Sequence, residues 1–263
     1  MLRRRKSDAP FLRENLIAAL RIGAACEVDL QFTLDGHAVC LHDSMLDRET
    51  TGHGRVADTM RGAIERLRQR APDGAPLQST PLFLDEVTAT VRAAGVAAPA
   101  LVQLDVKTRA AALAPEALER LSRLLDGAAD AFIASAYEWA AVQHVVAAAP
   151  GLHAGFDPLA FYSRSFDLDA DGYRAIAARA LTTAPGASVY YLEARLILEA
   201  LRRGVNLVYE VGATGAQVDA WTIDADLPRL DDVLRSLIRA GVHQITSNDP
   251  EHLSRLIDAM ETN

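Results

Sequence analysis

The chain has 263 residues, 50% of them apolar, 24% charged and 6% aromatic, and a formal net charge of −8. That balance excludes a disordered or fibrous chain, and the acidic surplus argues against nucleic acid or an anionic membrane surface as partner, since both reward a basic stripe. The length suits one domain, residues 1–263, of the α/β-barrel class, where about 250 residues is ordinary, and a small molecule is the expected partner.

The basic cluster Arg3-Arg4-Arg5-Lys6 is followed by Ser7, Asp8 and Pro10. No apolar run succeeds it, so a signal peptide is not expected, and no segment is long and apolar enough to predict a membrane span. Cys26 and Cys40 sit in apolar, strand-like runs. Two such residues make no disulfide framework, and the expectation is a cytoplasmic protein with two buried free thiols.

Taken in order, the pattern predicts a helix over Glu14–Ile22, then strands over Ala25–Phe32 and Ala38–His42. A polar, Gly- and Pro-punctuated excursion over 43–82 follows, with one helix-like stretch at Met60–Arg70. Next come helix Phe83–Ala94, strand Ala100–Lys107, helix Pro115–Leu125, strand Asp130–Ser135, helix Glu138–Ala148 and strand Leu152–Phe156. The last stretch reads as helix Asp169–Ala180, strand Ala187–Tyr191, helix Glu193–Arg203, strands Val205–Tyr209 and Val218–Ile223, helix Leu227–Ala240, strand Val242–Ser247 and helix Pro250–Glu261. Repeated strand-then-helix order predicts a parallel sheet covered by helices, and this many units in this length favour a TIM (β/α)8-type barrel over an open sheet. The excursion is the kind of long loop with which barrel enzymes shape a pocket.

Two strands carry chemistry. In Cys26-Glu27-Val28-Asp29-Leu30, Glu27 and Asp29 share a face, because alternate side chains of a strand do. Carboxylates pointing into a barrel are costly unless a charge balances them, and a hard divalent cation is the natural partner. A solvated strand end with two surface acids is the plainer reading of that strand by itself. In Leu101–Lys107, Gln103, Asp105 and Lys107 alternate with apolar neighbours. Asp105 is then a third candidate ligand and Lys107 a cation facing a phosphate, the simpler alternative being an Asp105–Lys107 ion pair.

Asp35-Gly36 supports a two-residue hairpin turn, which would set residue 42 opposite residue 29 and bring His42 to Asp29. An imidazole at a strand end beside a candidate ligand is the first choice for moving protons. The other histidines, including His37 and His53, read as solvated or structural residues without acidic company.

These motifs together resemble the glycerophosphodiester phosphodiesterases. The matching pieces run in order: Glu14-Asn15, Glu27-x-Asp29, Asp35-Gly36, His42-Asp43 with Leu46-Asp47-Arg48 and Thr51-Gly52, Pro81-x-x-Leu84-Asp85-Glu86-Val87, Asp105-x-Lys107, Ser135, Trp221-Thr222, and Ile245-Thr246-Ser247-Asn248-x-Pro250. The resemblance implies a TIM barrel with a small insertion after the histidine hairpin, and hydrolysis of glycerophosphodiesters to an alcohol and glycerol 3-phosphate with a bound Mg²⁺ or Ca²⁺. It assigns Glu27, Asp29 and Asp105 to the metal, His42 and Lys107 to catalysis, and Trp221 to the substrate pocket.

Three features depart from the family. Where a His-Arg-Gly strand is usual, this chain reads Leu2-Arg3-Arg4-Arg5-Lys6-Ser7-Asp8, so the first strand is expected to be incomplete or missing, with Arg4 or Arg5 standing near the phosphate. A start assigned too far downstream would account for the gap. Asp105 stands where Glu is usual, which suits calcium better than magnesium. Val205–Gln217 adds a second apolar strand before Trp221. The missing histidine keeps two alternatives open: a catalytically impaired barrel that binds a phosphodiester or phosphate as a sensor or partner module, or an enzyme for a lysophospholipid or sugar phosphodiester.

Overall fold

The computed structural model describes Arg3, Arg5 and residues 7–162 and 166–261. Arg4 lies outside the described residues. The chain forms two compact units that divide between Ala154 and Gly155, Arg3 being assigned to the first and Arg5 to the second.

The first unit begins with α1 (Arg13–Arg21), β1 (Cys26–Phe32), β2 (Ala38–Cys40), α2 (Arg61–Ile64) and α3 (Leu84–Ala94). It continues with β3 (Val102–Val106), α4 (Pro115–Leu125), β4 (Phe132–Ser135), α5 (Trp139–Ala148) and the start of β5 (His153–Phe156). Among the described residues no strand precedes α1. The strand order is β2-β1-β3-β4, antiparallel between β1 and β2 and parallel from β1 onward, with His153 and Ala154 of β5 in register with Ile133 and Ala134.

Alternation along β1 and β3 decides what each face does. Val28, Leu30, Phe32, Val102, Leu104 and Val106 all enter one apolar cluster with Leu121 and Leu125 of α4 and Val142 and Val145 of α5. Each such side chain, fully buried, stabilises by ~1.5–3 kcal/mol. Glu27, Asp29, Gln31, Gln103 and Asp105 are left for the opposite face. Gly36 turns the β1–β2 hairpin at φ 74°, and a Cβ there would meet the Cα of Ala117 at 3.3 Å. Both observations favour glycine at that position.

The excursion over 43–82 folds on an apolar cluster of its own, built from Val39, Leu41, Leu46, Val56, Ile64 and Phe83. Of the helix predicted over Met60–Arg70, Arg61–Ile64 is helical. Asp35 Oδ1 accepts from the Arg61 backbone N–H at 2.9 Å, tying the start of α2 to the hairpin.

The second unit holds the rest of β5, then α6 (Ala170–Thr183), β6 (Val189–Glu193), α7 (Ala194–Arg202), α8 (Leu207–Gly212), β7 (Gln217–Trp221), α9 (Leu230–Ala240), β8 (Gln244–Ile245) and α10 (Pro250–Glu261). Gly155 and Phe156 pair with Val189 and Tyr190, and β6, β7 and β8 follow in parallel. The strand predicted over Val205–Tyr209 is instead the entry to α8. Asn206 accepts from the backbone N–H groups of Val208 and Tyr209 at 3.0 and 3.2 Å, and an asparagine cap of this kind starts a helix whatever the β-branched content of the residues around it.

Candidate active site

Where β1 and β3 run side by side, Glu27 is in register with Gln103 and Asp29 with Asp105. The three carboxylates therefore project on one face, and one oxygen from each of Glu27, Asp29 and Asp105 lies within 4.8 Å of the others. Lys107 closes the group: its Nζ is 2.7 Å from Asp29 Oδ1 and hydrogen-bonds Asp105 Oδ2. The predicted ion pair forms, but it includes both aspartates.

Burial by itself would push the Asp29 carboxyl up, yet the surrounding positive charges, Lys107 among them and more weakly His42, hold it below the ordinary carboxylate range. Asp105 is raised: burial leads, and the charges of Glu27 and Asp29 add to it while Lys107 offsets part. Burial disfavours the charged form of Lys107, but Asp105 and Asp29 outweigh it and hold the ammonium firmly protonated. Three carboxylates crowd around the Lys107 ammonium in a poorly solvated place. A hard divalent cation matches both the carboxylates' charge and an all-oxygen donor set. Oxygens bound to one ion at ~2.1–2.6 Å lie no more than about 4–5 Å apart, so the span of the cluster fits as well.

A second layer orients these groups. Ser135, in register with Asp105 on β4, donates its Oγ hydrogen to Asp105 Oδ1 at 2.8 Å and accepts from Gln103 Nε2 at 2.9 Å. The ring of Tyr137 lies 5.4 Å from Lys107 Nζ, a cation–π distance.

His42 arrives by a different register from the one predicted. The ladder pairs Leu30 with Cys40 and Phe32 with Ala38, so the turn spans three residues and Leu41, whose N–H donates to Asp29 O at 3.1 Å, stands opposite Asp29. The reason is Asp35: its Oδ1 accepts from Thr33 Oγ1 at 2.8 Å and from Arg61 N–H, so it braces a wider turn rather than centring a two-residue one. His42 lies just past the end of β2, and its carbonyl accepts from Gln31 Nε2 at 3.1 Å. Gln31 shares the face of Asp29, and the histidine remains close enough to contribute to the charge balance at that carboxylate.

The imidazole is anchored from its other side. Nδ1 of His42 is 2.9 Å from Asp43 Oδ1, and Arg48 grips Asp43 with Nε at 2.5 Å from Oδ2 and Nη2 at 2.7 Å from Oδ1. The Arg48 guanidinium, helped by His42, lowers the Asp43 pKa to about 2. The Asp43 backbone N–H donates to Glu49 Oε2 at 2.9 Å, and burial raises the pKa of that glutamate.

Of the remaining predicted site residues, Arg5 is exposed and Trp221 half-buried, and both are assigned to the second unit. Trp221, the last residue of β7, is in register with Glu193 of β6. The other histidines are less isolated than predicted, with His53 Nδ1 2.9 Å from Asp47 Oδ1 and His37 Nε2 3.9 Å from Asp35 Oδ2. Sequence reasoning gave no role to Arg48, Glu49 or Tyr137, which act from loops where no periodicity marks them. The visible signals were Asp43, adjacent to His42, and Arg48 within the Leu46-Asp47-Arg48 motif, to which no role was given.

Among solved structures, a phosphodiesterase from Oleispira antarctica in complex with the product sn-glycerol-3-phosphate aligns with a TM-score of 0.72 at 18% identity, covering 98% of this chain and 94% of that one. A glycerophosphodiester phosphodiesterase from Agrobacterium tumefaciens aligns at 0.66 and 18% identity, covering 94% and 95%. At such identities the likeness shows the fold, the α/β-barrel class expected from the strand–helix alternation. Among characterised sequences, Glycerophosphodiester phosphodiesterase 1 of Bos taurus is 44% identical over 69 residues, 24% of this chain and 20% of its own length. A Caldanaerobacter subterraneus glycerophosphodiester phosphodiesterase is 40% identical over 67 residues, 24% of this chain and 28% of its own. The matches thus span well under a third of those relatives. The family model for glycerophosphoryl diester phosphodiesterases, by contrast, matches residues 14–252, from the start of α1 through both carboxylate strands and into α10, and the chain belongs to that family.

Proposed function

We propose that this protein is a metal-dependent phosphodiesterase that hydrolyses glycerophosphodiesters to an alcohol and glycerol 3-phosphate. The observation that carries the proposal is the convergence of Glu27, Asp29 and Asp105 within 4.8 Å beside Lys107, on a chain of this family. Glu27, Asp29 and Asp105 would hold the ion, Mg²⁺ or Ca²⁺, and a bound ion of that kind supplies Lewis-acid polarisation of a phosphoryl oxygen. Lys107 contributes a fixed positive charge toward the oxygens on which negative charge grows. His42 moves a proton through its Nε2, because its Nδ1 is committed to Asp43. The product bound to the Oleispira antarctica relative supports the choice of glycerol 3-phosphate. Two free cysteines, Cys26 and Cys40, suit the reducing cytoplasm as its setting, and among the described residues no helix is long and apolar enough to cross a membrane.

The test is release of glycerol 3-phosphate from glycerophosphocholine by the purified protein in EDTA, Mg²⁺ or Ca²⁺, with Asp29→Ala as control. Release that needs an ion and disappears in the control is expected. Folded protein that binds the ion yet releases nothing would overturn this reading in favour of a binding module or a different diester.

A further inference from the structure

Five residues beyond Asp43 and outside the carboxylate cluster, Arg48 makes two hydrogen bonds to the Asp43 carboxylate, a pairing that no requirement of the metal site explains. We propose that Asp43 is the positioning residue that fixes the tautomer and orientation of His42, and that Arg48 and Glu49 are the pair that hold Asp43 in place for it. The inference rests on the assignment of His42 to proton transfer above.

The geometry argues it step by step. A neutral imidazole carries one N–H, and which nitrogen bears it is set by the partner of the other. Asp43 is a carboxylate and only accepts, so the nitrogen 2.9 Å from its Oδ1, Nδ1, must be the donor, and Nε2 is left with a lone pair. Adjacency in sequence would not by itself fix Asp43, since a side chain at 29% exposure can rotate toward solvent. Arg48 removes that freedom with two bonds whose planar fork matches a carboxylate. Glu49 fixes the other end of the residue, accepting from the Asp43 N–H with a buried carboxylate. Side chain and backbone of Asp43 are thus held by two consecutive residues. The Gln31 Nε2 bond to His42 O restrains the histidine backbone, so His42 is held at its main chain and at Nδ1.

The test reads the tautomer directly. Nitrogen-15 spectra of histidine-labelled protein, read for the neutral imidazole and assigned with His42→Gln, should show protonated Nδ1 and unprotonated Nε2 for His42. Asp43→Ala should move the population toward the Nε2–H form that free histidine favours, with kcat for the diester falling about 10–100-fold and KM little changed, the range seen when orienting partners are removed. Arg48→Ala keeps the Asp43 side chain and should shift both readouts the same way by less, so it carries the test should Asp43→Ala not fold. A wild-type His42 in the Nε2–H form, or a tautomer and kcat unmoved in both variants, would overturn the proposal. Absence of diester hydrolysis in the wild type, with the tautomer as expected, would count against the proposed activity and not against this clamp.

Discussion

Asp29 and Asp105 stand side by side in parallel register on β1 and β3 and are bridged by a single ammonium, that of Lys107. Both aspartates share that ammonium, and Glu27 adds a third carboxylate within the same 4.8 Å.

Replacing Lys107 by Met should therefore remove the cation that both buried aspartates share. In EDTA the variant is expected to lose about 3–5 kcal/mol of stability, the usual cost of breaking a buried ion pair from one side. Saturating Ca²⁺ should return part of it, since an ion that binds only the folded state stabilises by mass action. Thermal or urea unfolding in EDTA and in Ca²⁺ checks both; wild-type stability of the variant in EDTA would refute the account.

His42→Ala should lower turnover by ~10²–10⁴-fold, the range of a general acid or base. The imidazole is 43% exposed, so the melting temperature should hardly change, and an unaltered rate in the steady-state assay would remove His42 from the chemistry.

Acid should weaken the Arg48–Asp43 pair on a defined schedule. Asp43 falls from its ordinary 3.8 to about 2 in the folded chain, so its stabilising contribution is fully present above 3.8 and is lost as pH drops through about 2. The stability gap between wild type and Arg48→Ala, followed by melting across that window, should narrow on acidification. Because Arg48 is 61% exposed, the gap will be small and will shrink further in high salt. A gap that widens toward acid would contradict the pairing.

Asn206→Ala should cost about 1–2 kcal/mol in urea unfolding. Its Oδ1 caps α8 and its Nδ2 donates to the Ala240 carbonyl at 3.0 Å at the end of α9. Asn206→Asp keeps the cap and loses the donor, and should fall between the two; equality of Ala and wild type would sink the capping argument.

The legible parts of this molecule were those written in alternation. Strand period alone placed Glu27 with Asp29 on one face and Asp105 with Lys107 on another, and the helices at Pro115–Leu125 and Pro250–Glu261 appear with the predicted bounds. What misled was local chemistry with a second partner. Asp35 looked like the centre of a tight turn because its link to the Arg61 N–H, 26 residues on, leaves no trace in the sequence. Val205–Tyr209 looked like a strand because β-branched content outweighed one asparagine. Arg48 and Glu49 matter through loop geometry, for which spacing offers no rule.

The small apolar cluster under the excursion, Val39, Leu41, Leu46, Val56, Ile64 and Phe83, has a consequence for how activity is lost. The carboxylates proposed to hold the cation ride on β1 and β3, inside the large cluster, whereas the proposed Asp43, Arg48 and Glu49 clamp rides on this small one. Local opening of the excursion would release the imidazole while the carboxylates stayed assembled. Heat or mild denaturant should then produce a chain that has stopped turning over but still holds its ion, and proton transfer will be the first function to fail.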